Sequence, residues 1–527
     1  MAEPSVVPDH PPTTVVEEPV RPTSPWWRSG VVYQIYPRSF ADSDGDGVGD
    51  LPGIRSRLEY LRWLGVDALW LSPIYRSPMA DFGYDVSDHC DIDPLFGTMH
   101  DFDTLLRDAH DLGIRVLLDW VPNHTSDKHP WFVESRRSRC SRKRDWYIWR
   151  EGSPDRPPNN WRAAFGGSAW AYDDRTDQWY LHLFLPQQPD LNWANPDVET
   201  AMHGVLRFWL DRGVDGFRAD VVHLIGKDPA LPDQPPELAE RDLVSVHDHP
   251  GTHHLLKRVR KVLDDYPGDR MMVGEVNLES VERIAPYYGE GDQLNLVFNF
   301  SPLHAPWDAA TWRDAIESVV VTLSRRRAWP TWVLSNHDVS RHRTRYGGSL
   351  QRARAAAVLL LTLPGTPFLY QGEELGLLDA DVPADRRVDP GGRDPCRAPM
   401  PWSADPPHGW SGRPWLPWPP RPARHAVETQ QEHATSILRL YRDLIAARRR
   451  SVALAVGDWT ALDTPDGVVG YRRTAGHDQR TILVNFTDQP RRVEVDTTFV
   501  VDISSVRRGE GQPFTGQLPR DAAVVLR

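Results

Sequence analysis

Three short apolar runs in this chain each stop on a carboxylate, and few folds give such a pattern a use. They are Val214-Asp215-Gly216-Phe217-Arg218-Ala219-Asp220, Met271-Met272-Val273-Gly274-Glu275 and Thr331-Trp332-Val333-Leu334-Ser335-Asn336-His337-Asp338. Near-continuous apolar runs belong to strands buried on both faces, as in parallel sheets covered by helices. An unpaired buried carboxylate is costly, so three strands ending on acids point to acids gathered for a purpose. A parallel barrel gathers strand C-termini at one end, where such folds build their sites.

The rest of the chain has the matching rhythm. Strand-like Val31–Ile35 is followed by helical Ile54–Leu64, strand-like Ala68–Leu71, helical Phe102–Leu112 and strand-like Arg115–Trp120. Further strands are expected at Gly216–Ala219, Met271–Gly274, Leu294–Phe298, Trp332–Ser335 and Phe368–Tyr370, after a helix over Val198–Arg212. The βαβα alternation predicts a parallel sheet with helical crossovers, and eight strands predict an α/β fold of the (β/α)₈ TIM-barrel type. About seventy residues after Trp120 break the rhythm, too long an excursion for structureless coil. The expected organisation is a tail without periodicity over 1–25, the barrel over 26–120 and 196–450, an inserted loop domain over 121–195 and a C-terminal antiparallel β domain over 451–527. Ala434–Arg449 is an amphipathic helix suited to close the barrel, and the tail has a disordered composition.

At 527 residues the chain exceeds one core of ordinary size. A net charge of −12 argues against nucleic acid or an anionic membrane as partner. Cys90, Cys140 and Cys396 fit no metal or redox spacing, which favours a reducing compartment. The N-terminus carries no basic-then-apolar signal segment. The longest apolar stretch, Ala355–Leu363, is too short to span a bilayer. The expectation is a cytoplasmic protein, monomer or homo-oligomer, with no organic cofactor. Tryptophans number 22 against 15 each of Phe and Tyr, serving either packing or the stacking of sugar rings.

Two carboxylates flanking a bond are the minimum equipment for splitting a glycosidic linkage. Longer motifs sharpen that chemistry. Leu118-Asp119-Trp120-Val121-Pro122-Asn123-His124, Gly216-Phe217-Arg218-Ala219-Asp220-Val221, Gly274-Glu275-Val276 and Leu334-Ser335-Asn336-His337-Asp338 occur in the order seen in the α-amylase superfamily of glycoside hydrolases, which the chain resembles from Trp26 to Arg527. Gln188-Pro189-Asp190-Leu191-Asn192-Trp193, Gly365 to Glu374 and Arg397-Ala398-Pro399-Met400-Pro401-Trp402 make it similar to the α-glucosidase and oligo-1,6-glucosidase branch.

The resemblance implies a retaining, exo-acting enzyme on small α-gluco-oligosaccharides, α-1,4- or α-1,6-linked. Asp220 would be the nucleophile, Glu275 the acid that protonates the leaving oxygen, and Asp338 a third acid that grips sugar hydroxyls. Arg218, two residues before Asp220 on one strand face, is expected to lower the nucleophile's pKa. His124 and His337 resemble donors to the bound glucose, and Asp119 and Asn123 structural residues. Asp81 and Tyr84 resemble the pair that holds the terminal sugar, Arg397 the arginine that closes the pocket, and Phe165 a wall of that subsite. Val221 resembles the position where α-1,6-acting relatives carry Val and α-1,4-acting ones Ala or Thr.

Asp42-Ser43-Asp44-Gly45-Asp46-Gly47-Val48-Gly49-Asp50 sets acids at alternate positions with glycines for tight turning, a wrapping for a hard cation. Gly53 stands where an EF-hand needs Glu. The segment resembles instead the family's metal loop, with Asp42, Asp44, Asp46, the Val48 carbonyl and Asp50 as ligands to structural Ca²⁺ or Mg²⁺. His247, His249, His253 and His254 imitate a zinc set, but Pro250 and Gly251 interrupt them, and a loop at the outer subsite is expected. His223, Asn277 and Pro401 depart from common residues and are expected near the leaving-group side. A transglucosylase or sugar isomerase on the same scaffold is the first rival. A non-catalytic scaffold is remote, since the chain keeps its acids and has no membrane anchor.

Overall fold

The computed structural model describes residues 24–238, 248–494 and 498–527. The tail expected over 1–25 lies outside the described residues except for Ser24 and Pro25, and so does His247. Eight parallel strands form the core sheet: β1 Val32–Ile35, β2 Ala68–Leu71, β3 Arg115–Trp120, β4 Gly216–Ala219, β5 Met271–Gly274, β6 Leu296–Val297, β7 Thr331–Val333 and β8 Thr366–Tyr370. Their order is β6-β5-β4-β3-β2-β1-β8-β7. The seam between β6 and β7 is bridged by a side chain: Thr331 Oγ1 donates to Val297 O (2.8 Å) and accepts from Asn299 N (3.1 Å). The expected TIM barrel is present and nearly closed.

Strand alternation divides the core. Val32, Ala68, Trp70, Leu117, Met271, Val273, Leu296, Val333 and Phe368 pack together inside the barrel. Their neighbours Val31, Tyr33, Leu69, Leu71, Val116, Leu118, Met272 and Trp332 pack outward with the surrounding helices. Both faces are buried, which explains why the strands read as unbroken apolar runs.

The helices expected at Phe102 and Val198 start earlier than apolar periodicity indicates, because caps set them. Met99–Asp111 begins on a Thr98/Asp101 capping box, and Pro196–Asp211 on Asn195, whose side chain accepts from Asp197 N. The single helix expected over Ile54–Leu64 is two, Leu51–Ser56 and Leu58–Leu64, interrupted at Arg57. The closing helix is Ile437–Arg450, capped by Ser436. Between β3 and β4 lie a short helix, Pro130–Ser135, and a three-stranded antiparallel sheet of Trp149–Glu151, Gln178–Leu181 and Trp170–Asp173. A five-stranded antiparallel sheet follows the barrel, ordered Asp458–Ala461, Val468–Ala475, Asp478–Asn485, Ala523–Leu526, Val501–Ser504. No helix among the described residues is long and apolar enough to cross a membrane.

Candidate active site

The period of two that fills the barrel also loads its C-terminal end. Two residues beyond inward Leu117 stands Asp119; beyond inward Val273 stands Glu275; beyond Val32 stands Gln34. On β4 the same alternation sets Arg218 and then Asp220 on the inner side. Gly216 begins that face because a Cβ there would lie 2.2 Å from Met271 O.

Arg218, 2 % exposed, is the hub. Its Nη1 reaches Asp119 Oδ1 at 2.5 Å and Asp220 Oδ1 at 2.6 Å, and its Nη2 reaches Glu275 Oε2 at 2.5 Å. Asp119 is held on its other oxygen by Trp70 Nε1 (2.8 Å). The nucleophile and acid candidates are therefore bound side by side on one guanidinium. Asp220 Oδ2 and Glu275 Oε1 have no donor among the described residues and face the pocket.

Asp338 closes the opposite side. Its Oδ1 accepts from Arg393 Nη1 (3.0 Å) and Arg397 Nη2 (3.3 Å). Arg393 also binds Asp81 Oδ1 (2.5 Å) and Asp389 Oδ1 (2.6 Å), so one cation ties three acids from separate loops. Arg393 lines the pocket, whereas Arg397, 1 % exposed, sits behind it and fixes the His337 carbonyl (2.8 Å). Arg397 is expected from the sequence and Arg393, four residues earlier in Arg393-Asp394-Pro395-Cys396-Arg397, is not, because nothing periodic orders this loop. Gln188, too, is given no role by the sequence, yet its amide nitrogen donates to Asp81 Oδ2 (3.0 Å) and lies 3.1 Å from His124 Nε2.

Tyr84 and His337 lie parallel (7°), joined from Tyr84 OH to His337 Nε2 at 2.7 Å, while Gln34 Nε2 meets His337 Nδ1 at 2.7 Å. Phe165 packs beneath the Arg393 guanidinium at 5.4 Å and edge-on to Phe184, which also contacts His124. Together these side chains and Val221 enclose a pocket of about 190 Å³. No tryptophan among the described residues lines it; Trp120, Trp209, Trp312 and Trp332 are fully buried, so those residues serve packing.

Burial dominates the electrostatics. It lowers His337 to about 3 and His124 to about 4, so both are neutral at physiological pH. Burial also pushes Asp119 up to about 6 against the pull of Arg218. Asp338 is half-buried at the pocket, and although desolvation penalises its charge, His337, Arg393 and Arg397 hold it well below the usual carboxylate range. For Asp220 the expected lowering by Arg218 does not result. Burial raises its carboxyl well above the ordinary value; Arg218 offsets only part of this, because Glu275 and Asp119 share the same cation.

His223 is buried beside the acid candidate, with Nδ1 3.3 Å from the Glu275 carbonyl; Pro401 is buried with its carbonyl bonded to Val427 N, and Asn277 is exposed. In the acidic loop, carboxylate oxygens of Asp42, Asp44 and Asp50 gather within 4.8 Å, the one such cluster among the described residues. Asp46 is outside that group and accepts Val48 N (2.7 Å). The turn is obligatory at Gly47, with φ +89° and a Cβ position 2.2 Å from Arg413 O. Among the described residues His249, His253 and His254 form no metal cluster, and His253 and His254 lie on helix Gly251–Asp264 and not in the expected loop. The cysteines are unpaired.

A family model described as "Alpha amylase, catalytic domain" matches residues 34–457, and the chain belongs to that family of glycoside hydrolases. Among curated relatives, a probable alpha-glucosidase of Rhizobium meliloti (strain 1021) is 42 % identical over 510 residues, 90 % of this chain and 92 % of that one. An oligo-1,6-glucosidase of Parageobacillus thermoglucosidasius is 38 % identical over 512 residues, covering 88 % and 91 %. Among solved structures, the alpha-glucosyl transfer enzyme XgtA superposes with a TM-score of 0.87 at 40 % identity, over 96 % of this chain and all of that one. The trehalulose synthase MutB of Pseudomonas mesoacidophila MX-45 gives 0.90 at 32 % identity, again over 96 % and 100 %.

Proposed function

We propose that this protein is a retaining, exo-acting α-glucosidase that releases α-glucose from the non-reducing end of short α-1,4- and α-1,6-glucosides. The observation that carries the proposal is the single Arg218 guanidinium holding Asp220 and Glu275 together at a pocket walled by the Asp81–Arg393–Asp338 bridge. At about 190 Å³ the pocket has the scale of one hexose ring, below the roughly 300–1,000 Å³ of sites for larger ligands. In the first step Asp220 Oδ2 forms a bond to the anomeric carbon as the glycosidic C–O bond breaks. Glu275 Oε1 gives its proton to the departing oxygen. In the second step water attacks the anomeric carbon, Glu275 Oε1 takes its proton, and the bond to Asp220 breaks. Asp338 and neutral His337 and His124 hold hydroxyls as positive charge develops on the sugar. Double displacement requires the two carboxyl groups to lie roughly 5–5.5 Å apart and the first product to be the α-anomer. NMR of the initial product from maltose tests this, and an initial β-anomer would overturn the mechanism.

Transfer to a sugar acceptor, or isomerisation, is the second reading, supported by the likeness to XgtA and to the trehalulose synthase. Chromatography of products from maltose, isomaltose and sucrose separates it from hydrolysis. For linkage choice, Val221→Thr should raise the kcat/KM ratio of maltose over isomaltose, on the order of 10-fold, by trading a methyl for a hydroxyl on the pocket wall. An unchanged ratio would assign the choice to other loops.

The acidic loop supports a structural Ca²⁺ or Mg²⁺. Its oxygen donors suit a hard cation, and Asp42, Asp44 and Asp50 would hold it, with Asp46 and the Val48 carbonyl completing the set. Such an ion supplies charge neutralisation to the loop that begins helix Leu51–Ser56, capped by Asp50. Chelation should lower the melting temperature and leave activity at low temperature intact. Instant inactivation at an unchanged melting temperature would contradict this.

A further inference from the structure

Val221, the residue after Asp220, has φ +35° and ψ +40°. A β-branched side chain in the left-handed region is a steric outlier, kept only when surrounding structure enforces it. Three bonds do so here: Asp220 N to Trp120 O (2.8 Å), Val222 N to Glu275 O (3.1 Å) and Leu224 N to Val221 O (2.9 Å). The side chain belongs to a buried apolar cluster that includes Trp161, Leu224 and Leu231. The conformation aims the Val221 N–H at Glu275 Oε2, 3.2 Å away.

We infer that Val221 is a positioning residue for Glu275, its left-handed backbone delivering an N–H that fixes which carboxyl oxygen carries the catalytic proton. Oε2 meets two donors, Arg218 Nη2 at 2.5 Å and Val221 N at 3.2 Å, so an O–H on that oxygen would point into N–H groups. Oε1 meets no donor among the described residues and is left to bear the proton on the pocket side. The inference rests on Glu275 being the acid and base of the proposed double displacement. The charged and titratable groups facing it are Arg218 and Asp220 on and after β4, Asp119 on β3 and His223 behind its carbonyl. Of these groups, Arg218 alone is seen to donate to Oε2, beside the Val221 N–H.

The clean test replaces the Val221 amide by an ester, introducing the α-hydroxy analogue of valine at position 221, which deletes the N–H and keeps the side chain. The alkaline limb of kcat/KM on maltose, which follows loss of the acid's proton, should move up by about one pH unit, because a donor to the ionised form is gone. Val221→Gly, which relaxes the backbone while keeping the N–H, should move it in the same direction by less. Val221→Thr, equally branched, should leave it in place. An unmoved limb in both the ester and glycine proteins, with Asp220→Asn inactive, would overturn the positioning role alone. Persistent hydrolysis by Asp220→Asn would overturn the catalytic assignment beneath it.

Discussion

Asp220→Asn should lose kcat by on the order of 10⁴-fold or more, because the amide keeps the shape of the nucleophile and cannot form the glucosyl ester. Its Oδ1 position can still accept from Arg218 Nη1, and Arg218 retains Asp119 and Glu275, so no buried cation is orphaned. The fold should therefore survive, and the same substitution should raise stability near pH 7. A carboxyl whose folded pKa is raised contributes stability that is fully present below its unfolded value, about 3.9, and is lost as pH rises through the folded value. At pH 7 the wild type bears that loss and the asparagine variant does not. A gain of about 1–3 °C in melting temperature at pH 7, shrinking toward pH 4, is expected.

The same shift fixes the acid side of the activity profile. Asp220 must be ionised to attack, so kcat/KM should fall as pH drops through a value above the ordinary carboxylate range. His337 and His124, already neutral well below pH 6, should not define that limb. Measured kcat for Asp220→Asn within tenfold of wild type, or a variant less stable than wild type at pH 7, would refute this account of the site.

Strand alternation made the barrel and its acids legible before any coordinates. The runs ending on Asp220 and Glu275 carry their inward residues at steps of two, and the structure continues those steps directly into the site. Parts contributed by loops were less legible, because no periodicity orders them. Arg393 is recognisable only once the loop after β8 folds back to set it between Asp81 and Asp338, residues 312 and 55 positions away in sequence. The direction of the Asp220 shift was also beyond sequence reasoning. A neighbouring arginine reads as a partner for one acid, and its division among Asp119, Asp220 and Glu275 exists only in three dimensions.

Lys227 shows the same limit and carries the second large expectation. Its side chain is 5 % exposed, and Nζ meets Asp190 Oδ2 (2.9 Å), Asn123 Oδ1 (2.9 Å) and Leu224 O (2.8 Å). Asp190 and Asn123 belong to the segment between β3 and β4, Asn123 three residues past β3, and Leu224 to the loop after β4. One ammonium thus pins the inserted segment to the barrel beside His124, whose Nδ1 lies 3.2 Å from Asn123 Nδ2. Lys227→Ala leaves the fully buried Asp190 carboxylate without its cation, at a cost of about 3–5 kcal/mol. The loss should fall first on the inserted segment, appearing as faster proteolysis between residues 121 and 195 and a raised KM through a loosened His124. Lys227→Met combined with Asp190→Asn removes both charges and should recover much of the stability, since breaking a buried pair costs more than replacing it. If the double variant is no more stable than Lys227→Met alone, the ammonium is not what holds the segment in place.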